Sequence, residues 1–390
     1  MHDVHALLKG WMEAAGMTAH VDAAGNLRGI WPGLTTNCPR LLIGSHLDTV
    51  PNAGAFDGIL GVVLGVAVVE QLREQQHLPF AIEVIGFSEE EGVRFNKPFL
   101  GSLALIGKLD PETLARTDRN GINVADAIRN YGLDPANLAD ALLPDEAFAY
   151  LEFHIEQGPI LESEKASLGI VEALVGQTRL QLTFTGHANH AGTTPMHLRH
   201  DAMAAAAEWI VAVEAYANAN ANLGLVATVG KVETSPGAGN VIAGKVTASL
   251  DVRHANDQAR QTAVSALINS ANAAAAKRGV HVGAQTQLEQ PAVPMNPDLT
   301  QLLHNAAEKA GFPSRRMTSG AGHDAMIVAQ RLPCAMLFLR SPGGLSHHPD
   351  ESVLPQDVEA ALTTAMEFLT LLRDDRADTA DSANPKDPHA

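Results

Sequence analysis

The pattern of apolar runs predicts an α/β protein with a mixed, mostly parallel sheet and helices on both of its faces, interrupted by a smaller α+β domain. Three observations carry this. Up to about residue 175, short apolar runs alternate with helical segments. The middle of the chain instead alternates apolar and polar residues along its strands and contains two Ala-rich helices. After Pro291 and Pro294 the first kind of pattern returns.

Taken in order, Arg40 to Gly44 (RLLIG) and Ala81 to Phe87 (AIEVIGF) read as short buried strands rich in branched side chains, with Gly58 to Arg73 as a helix between them. Strand, helix and strand at this spacing form a βαβ unit in a largely parallel sheet. Leu180 to Thr185 (LQLTFT), Gly224 to Glu233 and Lys245 to Arg253 (KVTASLDVR) alternate like half-exposed strands. Between and after them, Arg199 to Ala217 and Asp257 to Lys277 are the Ala-rich helices. An antiparallel sheet with helices on one face follows. Leu299 to Ala310 is a helix, Ala335 to Leu339 a strand and Gln356 to Leu372 a closing helix. The expected domains are therefore 1–177 with 293–372, and an insertion at 178–292. Residues 373–390 (RDDRADTADSANPKDPHA) hold little that could pack and are expected to form a flexible tail.

A chain of 390 residues suits two domains. Lys and Arg number 27 against 44 Asp and Glu, a formal net charge of −17 that argues against nucleic acid or anionic lipid as partner. The two cysteines, Cys38 and Cys334, are too few for a disulfide framework and point to a reducing compartment. The N-terminus lacks a signal-peptide pattern, and the longest apolar run, Gly58 to Val69, is too short for a bilayer span. These features together predict a soluble cytoplasmic protein. Seventeen histidines supply many potential metal ligands.

Four segments at the ends of expected strands could carry chemistry. GSHLDTVPNAGAFDG holds His46, Asp48 and Asp57: either a metal ligand with a carboxylate behind its second ring nitrogen, or a polar loop turning at Pro51-Asn52. GFSEEEGVRF holds Glu89, Glu90 and Glu91: either a solvated helix start, or carboxylates whose repulsion a cation offsets. LEFHIEQGPILE places His154 in an apolar stretch, the setting of many core histidines, with Gln157 three residues on. GGLSHHPDES holds His347 and His348. The combination says more than any member: imidazole and carboxylate donors without thiolate suit Zn²⁺ or Mn²⁺. Two His, two carboxylates and a third His can hold an ion pair that shares a bridging carboxylate, a hydrolytic device. An extra Glu beside a ligating Glu supplies a general base. In the inserted segment, His190 (in GHANHAGTTPMHLRHD) and Asn240 could donate to an oxyanion, and Arg253 could fork onto a carboxylate. His187, His197 and His200 read as exposed polar residues.

At these residues the sequence resembles the carbamoylase-type amidohydrolases, over nearly its whole length. GSHLDTVPNAGAFDG, SEEEG, FHIEQGP, ANHAGTTP, a later GN-V-I with Arg253, GAGHDAM and GLSHHPDE occur in that family's order. The family includes allantoate amidohydrolase, N-carbamoyl-L-amino acid hydrolase and β-ureidopropionase, and is related to aminoacylase and carboxypeptidase G-type metallopeptidases. The resemblance implies two divalent ions per subunit, Zn²⁺ or Mn²⁺ with Co²⁺ or Ni²⁺ as further options. Asp57 would bridge them, His46 and His154 completing one ion and Glu90 and His347 the other. Glu89 matches the catalytic base and Asp48 the carboxylate orienting His46. Gln157, His190, Asn240, Arg253, Gly322 and His323 match substrate-binding positions, His190 reaching the partner subunit's active site. The insertion would be a dimerisation lid in a homodimer. Family members usually carry another helix or more ahead of the region matched by WMEAAGMTAHVDAAGNLRG, close to which this chain starts. The implied activity is hydrolysis of the ureido C–N bond of small ureido acids, allantoate first and N-carbamoyl-L-amino acids or N-carbamoyl-β-alanine next. An aminoacylase or dipeptidase on the same scaffold is the more distant alternative.

Overall fold

The computed structural model describes residues 1–35, 37–73 and 78–383, with residues 377–383 described by backbone alone. The chain divides into two compact units, Met1–Glu172 with Met295–Ala390, and Ala173–Pro294. In chain order the strands are β1 (Thr18–Val21), β2 (Leu27–Trp31), β3 (Arg40–His46), β4 (Ala81–Phe87), β5 (Ala147–Ile155) and β6 (Leu168–Leu174). Then come β7 (Gly176–Thr185), β8 (Val226–Thr228), β9 (Val232–Ser235), β10 (Lys245–His254), β11 (His281–Gln290) and β12 (Val293–Pro294), and finally β13 (Ser314–Ser319) and β14 (Cys334–Leu339).

In the first unit, β4, β3, β5 and β14 lie side by side and parallel. Antiparallel strands extend both edges: β2 and β1 beyond β4, and β6 beyond β14. The parallel strands are buried along almost their whole length, as a sheet covered on both faces requires. The helix Ile59–Leu72 (ILGVVLGVAVVEQL) is apolar around most of its circumference, and its buried positions cover all of it but the narrow face of Ile59, Val63, Ala67 and Glu70. Its closeness to the sheet depends on Gly61, where a Cβ would fall 2.1 Å from the Phe153 carbonyl oxygen. The helix Pro297–Lys309 is capped by Asn296, whose side chain accepts from the amides of Asp298 and Leu299. Leu303, Ala306 and Ala307 of that helix join Ala361, Ala365 and Phe368 of the last helix in the same core. Cys38 and Cys334 are both free and buried. Among the described residues no helix is long and apolar enough to cross a membrane.

The second unit is an antiparallel sheet in the order β11-β7-β10-β8, with β9 also paired to β10. Alternate residues of β7 and β10 are buried, and Leu182, Phe184, Val246 and Leu250 meet Ala205, Trp209, Leu267 and Ala271 of the two Ala-rich helices. Those helices, Ala202–Ala219 and Asp257–Ala276, start at Asp201 and Asn256, whose side chains accept backbone N–H groups of the first turn. The Trp209 indole donates to the Leu267 carbonyl at 3.0 Å.

Several elements differ from the sequence-based expectation. The segment Gly224–Glu233 is two short strands separated at Gly230 rather than one. β11 was not anticipated, because HVGAQTQLEQ is mostly exposed and carries no apolar period. The closing helix runs to Ala383 instead of ending at Leu372: RDDRADTADSA contains no Pro or Gly to stop it. Residues 384–390 of the expected tail lie outside the described residues.

Glu83, fully buried in β4, is held by Arg28 (2.5 Å) and Arg40 (2.8 Å). Truncating it leaves the buried Arg28 guanidinium without its closest counter-charge. Glu83→Ala is therefore expected to lower stability by about 3–5 kcal/mol, read from the urea midpoint; a midpoint equal to that of the unmodified chain contradicts this role.

Candidate metal centre

Every ligand-type side chain of the first unit that converges on Asp57 comes from, or just after, the carboxyl end of a parallel strand, where open α/β sheets expose their loops. His46 ends β3 and His154 lies near the end of β5. Glu91 follows β4, and His347 follows β14. Asp57 sits in the loop between β3 and the helix Ile59–Leu72. Two groups form, His46 with Asp57 and His154, and Asp57 with Glu91 and His347, each with its ligand atoms within 4.8 Å of one another.

The Asp57 carboxylate belongs to both groups through different oxygens. Its Oδ1 lies 3.2 Å from His154 Nε2 and 3.7 Å from His46 Nε2, while its Oδ2 lies 3.0 Å from His347 Nε2. Glu91 Oε1 is 3.4 Å from the same His347 nitrogen. His46 Nδ1 donates to the Asp48 carbonyl (2.8 Å) and His154 Nδ1 to the Ile155 carbonyl (2.9 Å). In neutral rings this leaves both Nε2 atoms as lone-pair acceptors, and they face each other at 3.3 Å. Asp57 Oδ1 and Glu91 Oε1 are buried without a hydrogen-bond partner. Facing lone pairs and orphaned carboxylate oxygens are costly unless a cation sits among them, so the donor set fits a pair of divalent ions. With no cation among them, a proton would have to take its place: burial works against charge on His46, but the carboxylates of Glu90, Asp57 and Asp48 outweigh it and hold its pKa well above the usual imidazole range. Burial would likewise raise the Asp57 carboxyl, yet the His154 and His46 imidazoles hold it far below the usual range.

The surrounding backbone is shaped to this end. Gly58 has φ +71°, and a Cβ there would fall 2.4 Å from the His46 ring. Gln157 (φ +58°) and His347 (φ +55°) occupy the left-handed region, a local strain typical of functional loops. Gln157 Nε2 donates to Asp57 Oδ2 (3.1 Å) and to Ser346 Oγ (3.2 Å).

The three adjacent glutamates are resolved differently from the expectation. Glu91, rather than Glu90, stands beside Asp57 and His347. Glu89 has φ +56° and lines a separate cavity of ≈130 Å³ with Phe95, Leu100, Val124 and Ile128, none of them a ligand. Burial there, with Asp48 adding and Arg94 opposing, pushes Glu89 up to about 7. Glu90 is buried next to His46, Asp48, Glu91 and Asp324. Burial raises its carboxyl well above the ordinary value, His46 opposing and the other carboxylates adding. The left-handed backbone at Glu89 sets it apart from the other two, and it is the Glu91 carboxylate that lies with Asp57 and His347.

Asp48 also acts otherwise than expected. Its carboxylate accepts the amides of Glu90 (2.9 Å) and Glu91 (3.2 Å), and it is its main-chain carbonyl that orients His46. His323, expected to touch substrate, is buried with its ring 4.3 Å from that of His154 and its Nε2 on Ser319 Oγ at 3.0 Å. It packs the ligand from behind, and the neighbouring Gly322 is the exposed residue of the two.

His190, Asn240 and Arg253 belong to the second unit. The amides of Gly192 and Thr193 donate to His190 Nδ1 (3.0 and 3.2 Å), which leaves the proton on Nε2 as an exposed donor. The Ala191 amide donates to the Asn240 carbonyl at 2.9 Å, so His190 and Asn240 share one loop pair. Arg253 is held through Nε and Nη2 by both oxygens of Asp251. One supporting residue, Glu351, had no expected role although it lies in the GLSHHPDE motif. It is buried, and its carboxylate accepts the amides of Phe56 and Asp57.

Residues 42–371 match the family model described as peptidase family M20/M25/M40. An allantoate deiminase from Glycine max is 38% identical over 398 residues, covering 93% of this chain and 82% of that protein. An N-carbamoyl-L-amino acid amidohydrolase from Geobacillus stearothermophilus is 39% identical over 355 residues, covering 90% and 86%. A solved hydantoinase/carbamoylase family amidase from Burkholderia ambifaria superposes with a TM-score of 0.86 at 35% identity, covering 95% of this chain and 89% of that one.

Because Gly58 combines a left-handed backbone with contact to His46, Gly58→Ala is expected to weaken metal binding at the His46 group by at least about tenfold. Competition against a chromophoric chelator measures this; an unchanged affinity would show that the loop tolerates a side chain there.

Proposed function

Since the chain belongs to peptidase family M20/M25/M40, and its relatives include enzymes named for allantoate and for N-carbamoyl-L-amino acids, we propose that it hydrolyses the ureido C–N bond of small ureido acids, allantoate foremost. It is an amidohydrolase of linear, non-peptide amides in this reading. The observation that carries it is the Asp57 carboxylate, with one oxygen toward His46 and His154 and the other toward His347 beside Glu91.

His46, Asp57 and His154 would hold one divalent ion, and Asp57, Glu91 and His347 the second. When bound, such ions supply Lewis acidity to a hydrolytic water and to the scissile carbonyl. Zn²⁺ and Mn²⁺ suit the donors best, and Co²⁺ or Ni²⁺ also fit them. Glu90 is the general base in this reading: buried beside the centre with its backbone held by Asp48, it would take a proton from water and return it to the leaving nitrogen. Asp48 fixes the backbone of Glu90 and Glu91, so base and ligand keep their separate directions. Gln157 holds Asp57 Oδ2 in place and borders the site where substrate would lie.

The resemblance assigns the oxyanion donor to His190 and the anchoring of the substrate carboxylate to Asn240 and Arg253, and these roles are part of the proposal. The Nε2–H of His190 and the Asp251-oriented guanidinium of Arg253 have the chemistry for them. Assembly as a homodimer through the second unit is also part of it. The carbamoyl carbon and its nitrogen would leave as CO₂ and ammonia.

Two measurements test this reading. Chain stripped with chelator and reloaded with Mn²⁺ or Zn²⁺ is assayed for ammonia release from allantoate, N-carbamoyl-β-alanine and several N-carbamoyl-L-amino acids. Allantoate should give the highest kcat/KM, with no turnover before reloading. Cleavage of N-acyl amino acids or dipeptides with all carbamoyl compounds inert would overturn the assignment. In the second, Glu90→Gln should keep its metal and lose about 10²–10⁴-fold in kcat, while Glu89→Gln stays within severalfold of the unmodified chain. The opposite pattern would return the base to Glu89.

A further inference from the structure

We infer that Glu351 is a positioning residue for one ion site alone, the one formed by Asp57, Glu91 and His347, and that it determines whether the second ion is retained. The inference rests on the two-ion reading above and concerns a residue to which that reading gives no part.

Glu351 is 5% exposed. Its Oε1 accepts the amides of Phe56 (3.0 Å) and Asp57 (3.1 Å), and its Oε2 accepts the Ser346 hydroxyl (3.1 Å). Ser346 Oγ in turn receives Gln157 Nε2, which also donates to Asp57 Oδ2 and lies 3.4 Å from His347 Nε2. A closed circuit results: Asp57 amide, Glu351, Ser346, Gln157, Asp57 carboxylate. It fastens the loop carrying Asp57 to the loop carrying His347. The fit is close, since a Cβ at Gly54 would fall 2.2 Å from that of Glu351. Amide-to-carboxylate bonds of this kind are charge-assisted and directional.

The circuit favours one half of the centre. His46 and His154 project from β3 and β5, and backbone carbonyls of Asp48 and Ile155 fix their rings, so that group does not depend on Glu351. His347 has no such support: it lies on a loop, in a left-handed conformation, with 47% of its side chain exposed. Its alignment with Asp57 Oδ2 relies on the Glu351 circuit. Loss of Glu351 frees the Asp57 amide and lets the His347 loop drift, while Oδ1 stays between two fixed imidazoles. Partners that orient a ligand from outside the coordination shell change metal affinity by about 10–100-fold.

The test compares the full chain with Glu351→Ala, Glu351→Gln and Ser346→Ala by equilibrium dialysis against Mn²⁺, with electron paramagnetic resonance of the loaded proteins. Glu351→Ala should keep the tighter ion within about twofold and weaken the second by at least about tenfold, losing the spin-coupled signal of a Mn²⁺ pair. Glu351→Gln retains an amide-accepting oxygen and should recover most of the loss. Ser346→Ala, at a half-buried loop position, should weaken the second ion severalfold, and it decides the matter if Glu351→Ala fails to fold. Equal weakening of both ions, two ions at unmodified affinity in Glu351→Ala, or an unaffected second ion in Ser346→Ala would each overturn the inference. An unmodified chain that binds fewer than two ions would instead overturn the two-ion reading itself.

Discussion

The structure of the first unit is organised around one carboxylate. Asp57 is buried between imidazoles, with His46 and His154 on one oxygen and His347 on the other. In a low-dielectric setting such an arrangement is stable only if positive charge is shared among its members. The surrounding choices follow from this. β3 ends in His46, Gly58 leaves room for the His46 ring, and backbone carbonyls take the Nδ1 protons so that both Nε2 lone pairs face inward. The parallel sheet contributes its geometry: β3, β4, β5 and β14 end side by side, so residues far apart in sequence reach one point.

Around the carboxylate, rigidity is graded. His46 and His154 are built into strands and lie almost wholly buried, and His323 packs behind His154. His347 and Gln157 sit on loops in left-handed conformations held by side-chain hydrogen bonds. A centre with one half fixed by the sheet and the other by loops has unequal halves. The segment after β4 shows the same economy of means. One left-handed residue, Glu89, separates three identical side chains into a cavity-lining group, a buried carboxyl and a partner of Asp57 and His347, with Asp48 holding the backbone of the last two.

Much of this was legible in the sequence, and the reasons for what was missed are physical. His46, Asp57, His154 and His347 stand out because polar residues at the ends of buried strands need an explanation. Which of Glu89, Glu90 and Glu91 stands beside Asp57 and His347 was not legible, since three identical neighbours carry no local difference and only the backbone turn tells them apart. Asp48 was recognised as a support for His46, but its main-chain oxygen does that work, which residue type cannot reveal. Glu351 was hidden because its partners, the amides of Phe56 and Asp57, lie almost three hundred positions away. Strands such as β11 were hidden for want of apolar alternation. His323, which the resemblance matches to a substrate-binding position, is packed in the core against His154, a burial that its residue type does not announce.

In the proposed centre one buried carboxylate, Asp57, joins two ions, with Glu91 a ligand and Glu90 outside the coordination shell. Anomalous diffraction at the absorption edge of the loaded metal tests it most directly. Two peaks about 3.5–4 Å apart are expected, one among His46, Asp57 and His154 and one among Asp57, Glu91 and His347, with the Glu90 carboxylate bound to neither. A single peak, or a second ion held by Glu90 in place of Glu91, would contradict it.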